Sequence, residues 1–150
     1  MKLLRILIPT LLGVLISTMA FSSHAENSTD FGQYVVHYNA LPTDQLPARV
    51  AREYHINRSK HRGMVNITVL RKVLGSPGQP VHAFVEVSGT NLAGQYRRIP
   101  VRQIREGNAI YYIGEFSVSH EETMRFDVKV RPQGSPDTLT VEFSQDFYTQ

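Results

Sequence analysis

Two stretches decide the fold: Arg125-Phe126-Asp127-Val128-Lys129-Val130-Arg131 and, just downstream, Thr138-Leu139-Thr140-Val141-Glu142-Phe143-Ser144. Apolar and polar side chains alternate in both without a break. Strict alternation puts one set on each face of a strand, so one face is dry and the other wet. That is the signature of an antiparallel sheet packed on a core. Gly134-Ser135-Pro136-Asp137 between them is turn chemistry, so the pair predicts a hairpin.

Five further strand-like runs lie upstream. Phe31–Asn39 is rich in aromatic and β-branched residues, Met64–Leu74 alternates through Val65, Ile67 and Val69, and Val81–Ser88 places Val81, Ala83, Val85 and Val87 on one face. Gln95–Arg105 contains Pro100 and four arginines, which suits an edge strand, because proline cannot donate to a ladder. Ala109–Val118 aligns Ile110, Tyr112, Phe116 and Val118. About seven strands separated by turn signals predict an all-β, immunoglobulin-like antiparallel sandwich. One short helix is expected after Asp44 or Thr43 as cap, with Pro47 in its first turn and Leu46, Val50, Ala51 and Tyr54 on one face. At two or three turns it needs the sheet to hold it. The polar run Glu26–Asp30 reads as a loose terminus.

Before residue 26 the pattern differs. Lys2 and Arg5 precede an apolar run from Ile6 to Phe21, and Ser23 and Ala25 offer small residues at −3 and −1 of a cut after Ala25. This is a secretory signal peptide, which divides the chain into a leader at 1–25 and a single domain at 26–150. No stable membrane span is expected after cleavage. The chain has no cysteine, so thiol catalysis, disulfides and a lipid-bearing cysteine are excluded, and packing alone must stabilise the domain.

The formal charge of the whole chain is +3, but removing Lys2 and Arg5 leaves 14 basic against 13 acidic residues. That balance does not suit a nucleic-acid binder. The charge is segregated along the sequence. Arg49–Arg105 holds 11 basic and two acidic residues, and Glu106–Gln150 holds eight acidic and three basic. Whether a sandwich keeps these halves apart is a question for the fold.

Chemical motifs are sparse. There is no nucleophile elbow and no phosphate-binding glycine loop. His120-Glu121-Glu122-Thr123-Met124 begins like a zinc-peptidase helix, yet Met124 stands where the second histidine is required. His37, His55, His61, His82 and His120 lack metal-ligand spacing, so neither a metal nor a cofactor is expected. The best site candidate is Arg58-Ser59-Lys60-His61-Arg62, whose cations and hydroxyl could hold an anion through charge-assisted hydrogen bonds. A solvated polar loop is the plainer account. Arg97, Arg98, Arg102 and Arg105 suit an edge guarded against aggregation.

The segments Val36–Ala40, Val50–Ser59, Val65–Val69 and Thr123–Val128 resemble a family of secreted proteobacterial proteins known only as domain of unknown function 4426. The resemblance spans the whole mature domain. It implies a Gram-negative periplasmic location, assigns no activity and carries no functional residues. The leading expectation is a non-catalytic periplasmic binding or protein-interaction module, with an envelope protein or an anionic envelope component as partner. The alternatives are a small hydrolase built on His37, His55 or His61 with a carboxylate, and an envelope chaperone-like protein.

Overall fold

The computed structural model describes residues 27–149; the expected leader lies outside them. Among the described residues ten strands are present: β1 (Asn27–Asp30), β2 (Tyr34–Pro42), β3 (Arg62–Arg71), β4 (Gln79–Pro80), β5 (Ala83–Asn91), β6 (Tyr96–Ile99), β7 (Val101–Glu106), β8 (Ala109–Ser117), β9 (Glu122–Pro132) and β10 (Leu139–Phe147). A first sheet has the order β1-β2-β3-β8-β7, with β4 also paired to β3, and a second has the order β10-β9-β5-β6. All pairings are antiparallel. Apart from β1 and β4, the order follows that of an immunoglobulin sandwich.

Three expectations change. The Glu26–Asp30 segment is not loose in its described part: Asn27–Asp30 pairs with Val35–Tyr38 of β2. The expected strand Gln95–Arg105 is two strands. β6 pairs with β5 in the second sheet, and β7 pairs with β8 in the first. Pro100 sits between them, where the missing N–H frees the chain to change partners. A Cβ on Gly114 would lie 2.6 Å from Ile99 Cγ2, so glycine makes room for the crossing. The helix is also shorter than expected. A 3₁₀ turn (Thr43–Gln45) precedes α1 (Ala48–Glu53), and Pro47 occupies the cap position with no side-chain cap bond. Leu46, which precedes this proline, is held extended at ψ 139°, so the helix cannot begin earlier.

The alternation read from the sequence forms the core. Val65, Ile67 and Val69 meet Val85, Val87, Phe126, Val128, Val130 and Val141 between the sheets, all buried. Five rings run through this interior. Phe147 meets Phe116 edge-on (5.5 Å), Phe116 meets Phe126 (5.3 Å), Phe126 stacks on Phe143 (4.9 Å), and Phe143 meets Tyr38 (4.7 Å). The α1 region covers part of the opposite face of the first sheet, through Ala51, Ile56, Met64, Ile104 and Ile113.

Phe126 is wholly buried and touches two rings. Phe126→Ala should cost ~3–5 kcal/mol, read as a lower midpoint in urea denaturation. Gly63→Ala brings a Cβ to 2.6 Å from Phe116 Cε2 and should cost ~1–3 kcal/mol by overpacking.

Candidate functional site

The basic loop is built on a buried threonine. Thr43 is fully buried. Its Oγ1 donates to the Asn57 carbonyl (2.8 Å) and accepts from the Ser59 N–H (2.9 Å). The residue read as a possible helix cap is therefore the anchor of the loop. Ser59 Oγ in turn accepts from the His61 N–H at 3.1 Å. Arg58 donates through Nη2 to the Asp44 carbonyl at 2.7 Å, and the His61 carbonyl accepts from Val118 N–H. Side-chain bonds to the backbone, together with the one from Val118, thus fix the loop while Lys60 and His61 stay exposed.

Arg62 is not a loop residue. It opens β3 and pairs with Glu115 on β8 at 3.2 Å. Glu115 also faces Arg102 at 3.8 Å and accepts from the Asn57 N–H at 3.4 Å. Arg102 donates to the Tyr54 carbonyl as well. This one carboxylate, missed in reading the sequence, gathers the loop, α1's exit and two strands. Asn57 and Arg62 lie 58 and 53 residues away in the chain, and Arg102 reaches it across the β7–β8 hairpin, so no local pattern marks it.

The other candidates do not converge. His37 lies on β2, and His82 lies where the chain crosses from β4 to β5, not within a strand as expected; its Nδ1 is 3.1 Å from Gln103 Oε1. His120 accepts from the Thr149 N–H. Among the described residues, no three His, Asp or Glu side chains form a group able to hold a metal. Glu121 and Glu122 part company. Glu121 is exposed at a turn with φ 55°, whereas Glu122 accepts from Ser119 N–H (2.7 Å) and Asn91 Nδ2 (2.9 Å) and faces Arg97. The arginine group is also divided. Arg97 and Arg98 lie on β6, with Arg98 held by Glu86 at 2.9 Å, and Arg102 and Arg105 lie on β7.

A groove of about 530 Å³ lies on the outer face of the second sheet, bordered by Ser88, Tyr96, Arg125, Asp127, Lys129 and Glu142. Asp127 stands directly opposite Glu142 in the β9–β10 register. It is a shallow charged face, made by the polar half of the same alternation that builds the core.

Fold and site define a class: an immunoglobulin-like β-sandwich with open charged faces and a rigid basic loop. Within it, the chain belongs to the family described as domain of unknown function DUF4426, whose model matches residues 28–150. A DUF4426 family protein from Pseudomonas aeruginosa, known from a crystal structure, is 32% identical over 83% of this chain and 96% of that one, with a TM-score of 0.71. FetP of uropathogenic Escherichia coli superposes with a TM-score of 0.58 at 7% identity, over 83% of this chain and 95% of that one. A copper-bound FetP variant gives the same score and identity, with coverages of 84% and 92%. At that identity the likeness is one of fold. No curated protein sequence matches the chain. No helix among the described residues is long and apolar enough to cross a membrane.

Two predictions follow from the anchors. Thr43→Val keeps the shape but removes the hydroxyl, leaving the Ser59 N–H and Asn57 carbonyl without it. It should cost ~1–3 kcal/mol and speed amide exchange at Ser59. Tyr54 donates its phenol hydrogen bond to Glu106, which with burial pushes its pKa up to about 12. Since the folded value lies above the unfolded one, this contribution is complete below pH ~10 and disappears as pH rises through the folded value. In Glu106→Gln, NMR titration of the Tyr54 ring should fall back toward the ordinary tyrosine range.

Proposed function

We propose that this protein is a non-catalytic interaction module of the Gram-negative periplasm, exported by residues 1–25 and released by cleavage after Ala25. The observation that carries the reading is the placement of its polar groups. Glu115, Glu122, Arg97, Arg98 and Arg102 are each tied into local pairing. Among the described residues the exposed remainder lies on open faces and strand edges, a different arrangement from the enclosed cleft of converging acid–base groups that is the usual form of an active site. The leader pattern read in residues 1–25 supports the compartment.

Arg58, Ser59, Lys60, His61 and Arg62 keep a place in this reading as a recognition loop for an anionic envelope component. Thr43 fixes the loop, which lowers the entropy lost on binding. Glu115 already occupies Arg62, so the loop's charge outside ion pairs lies at Lys60 and at the Arg58 guanidinium, which donates to the Asp44 carbonyl.

In-cell cross-linking and affinity capture from the periplasm test the reading. The wild-type chain should retain a specific envelope protein or anionic component. If the loop recognises it, Arg58→Ala with Lys60→Ala should reduce capture several-fold, while the melting temperature falls only slightly, through loss of the exposed Arg58–Asp44 hydrogen bond. Capture of nothing in the periplasm counts against the module. Export is tested separately: Ala25→Arg should leave the full-length precursor uncleaved, where the parent yields a mature protein beginning at Glu26 by mass spectrometry.

A further inference from the structure

The two sides of the sandwich are guarded differently. On one side β6 and β7 are short, broken by Pro100, and carry Arg97, Arg98, Arg102 and Arg105. Short strands, proline and cations are the usual devices that stop an edge from pairing with another chain. On the other side β10 ends the second sheet with nine residues, Leu139–Phe147, and its register with β9 is continuous over the whole length. It contains no proline, lysine or arginine. Alternate backbone groups of such a strand point away from the sheet with nothing to pair with.

Beside it lies the second half of β2. Among the described residues, β1 covers only Val35–Tyr38, so Asn39–Pro42 has no strand on that side. Between the two runs a groove of about 480 Å³ opens, with Leu41 and Pro42 on one bank and Gln145, Asp146 and Tyr148 on the other. Tyr148 is 64% exposed there.

Charge selects the occupant. β1, β2 and β10 together contain three carboxylates, Asp30, Glu142 and Asp146, and neither lysine nor arginine. Lys72 pairs with Asp30. Asp146 accepts from Thr123 Oγ1 at 2.6 Å and forms no ion pair, and Glu142, which borders the same groove as Arg125 and Lys129 of β9, is exposed and likewise forms no ion pair among the described residues, so both carboxylates stay open to an added strand. A second copy is a poor occupant on either of its edges. Its β10 would add its own carboxylates to these. Its β6–β7 edge is short and interrupted, and three of that edge's four arginines already face Glu86, Glu115 and Glu122.

We propose that β10 is a docking edge that accepts, by strand addition, an extended segment of another protein carrying Lys or Arg at alternate positions. The backbone ladder would supply affinity, and Glu142 and Asp146 would select the charge. This rests on the interaction-module reading and names its partner's chemistry.

The probes are two ten-residue peptides, one alternating Lys with Thr and Val, the other with Glu in place of every Lys. The basic peptide should bind the exported protein at least about tenfold more tightly than the acidic one. It should weaken as salt is raised and slow amide exchange along Leu139–Phe147. Thr140→Lys with Ser144→Lys, both exposed positions, should abolish binding with no change in melting temperature. Glu142→Gln should weaken it several-fold while leaving the edge itself intact. Equal binding of both peptides, no binding, protection at β6–β7, or indifference to the double variant would each overturn the proposal. If an envelope partner is captured equally by wild type and double variant, the module reading stands and the edge assignment falls.

Discussion

Five aromatic rings join the two sheets from end to end: Phe147 on Phe116, Phe116 on Phe126, Phe126 on Phe143, Phe143 on Tyr38. Phe116 and Tyr38 come from the first sheet and the other three from the second. The chain contains no cysteine and no tryptophan, the residues that commonly pin an immunoglobulin sandwich through a disulfide and the ring packed on it. Burial of aromatic and β-branched side chains performs that task here. Each ring pair adds ~0.5–1.5 kcal/mol beyond its buried area. The geometry is tight enough to dictate small residues nearby, as Gly63 beneath Phe116 illustrates. Everything proposed for the surface depends on this seam, because it sets how the sheets lie and therefore which edges remain open.

The surface falls into parts with different logic. At one end, Thr43 and Glu115 convert a basic stretch into a fixed loop. At the β6–β7 side, arginines are neutralised by Glu86, Glu115 and Glu122. Along β10 neither Glu142 nor Asp146 forms an ion pair among the described residues, although Arg125 and Lys129 of β9 border the same face as Glu142. The charge segregation along the sequence survives folding at these two edges, because β6 and β7 come from the basic half of the chain and β10 from its acidic half. Elsewhere it cancels. β9 brings Arg125, Lys129 and Arg131 into the acidic half, and β8 delivers Glu115 to the basic loop.

The likeness to the Pseudomonas protein, at 32% identity, and to FetP, at 7%, shows how differently fold and surface are constrained. A sandwich needs alternation and turns at suitable intervals, which many sequences supply. A binding edge or loop needs particular residues at particular places.

The sequence by itself determined the strands, their inward faces and the sandwich class, because alternation is a local property: each residue's face follows from its neighbours at period two. Val128, Val130 and Val141 were legible in this way, and so was the edge character of the segment around Pro100. The tertiary structure alone decided the rest. Only pairing at long range revealed that Asn27–Asp30 joins β2, that the segment around Pro100 serves both sheets, and that Thr43 holds Ser59. Arg62 and Glu115 stand 53 residues apart, and no window of sequence contains both. Which edge is left open is likewise a property of the whole register, since a strand is an edge only by virtue of what does not pair with it.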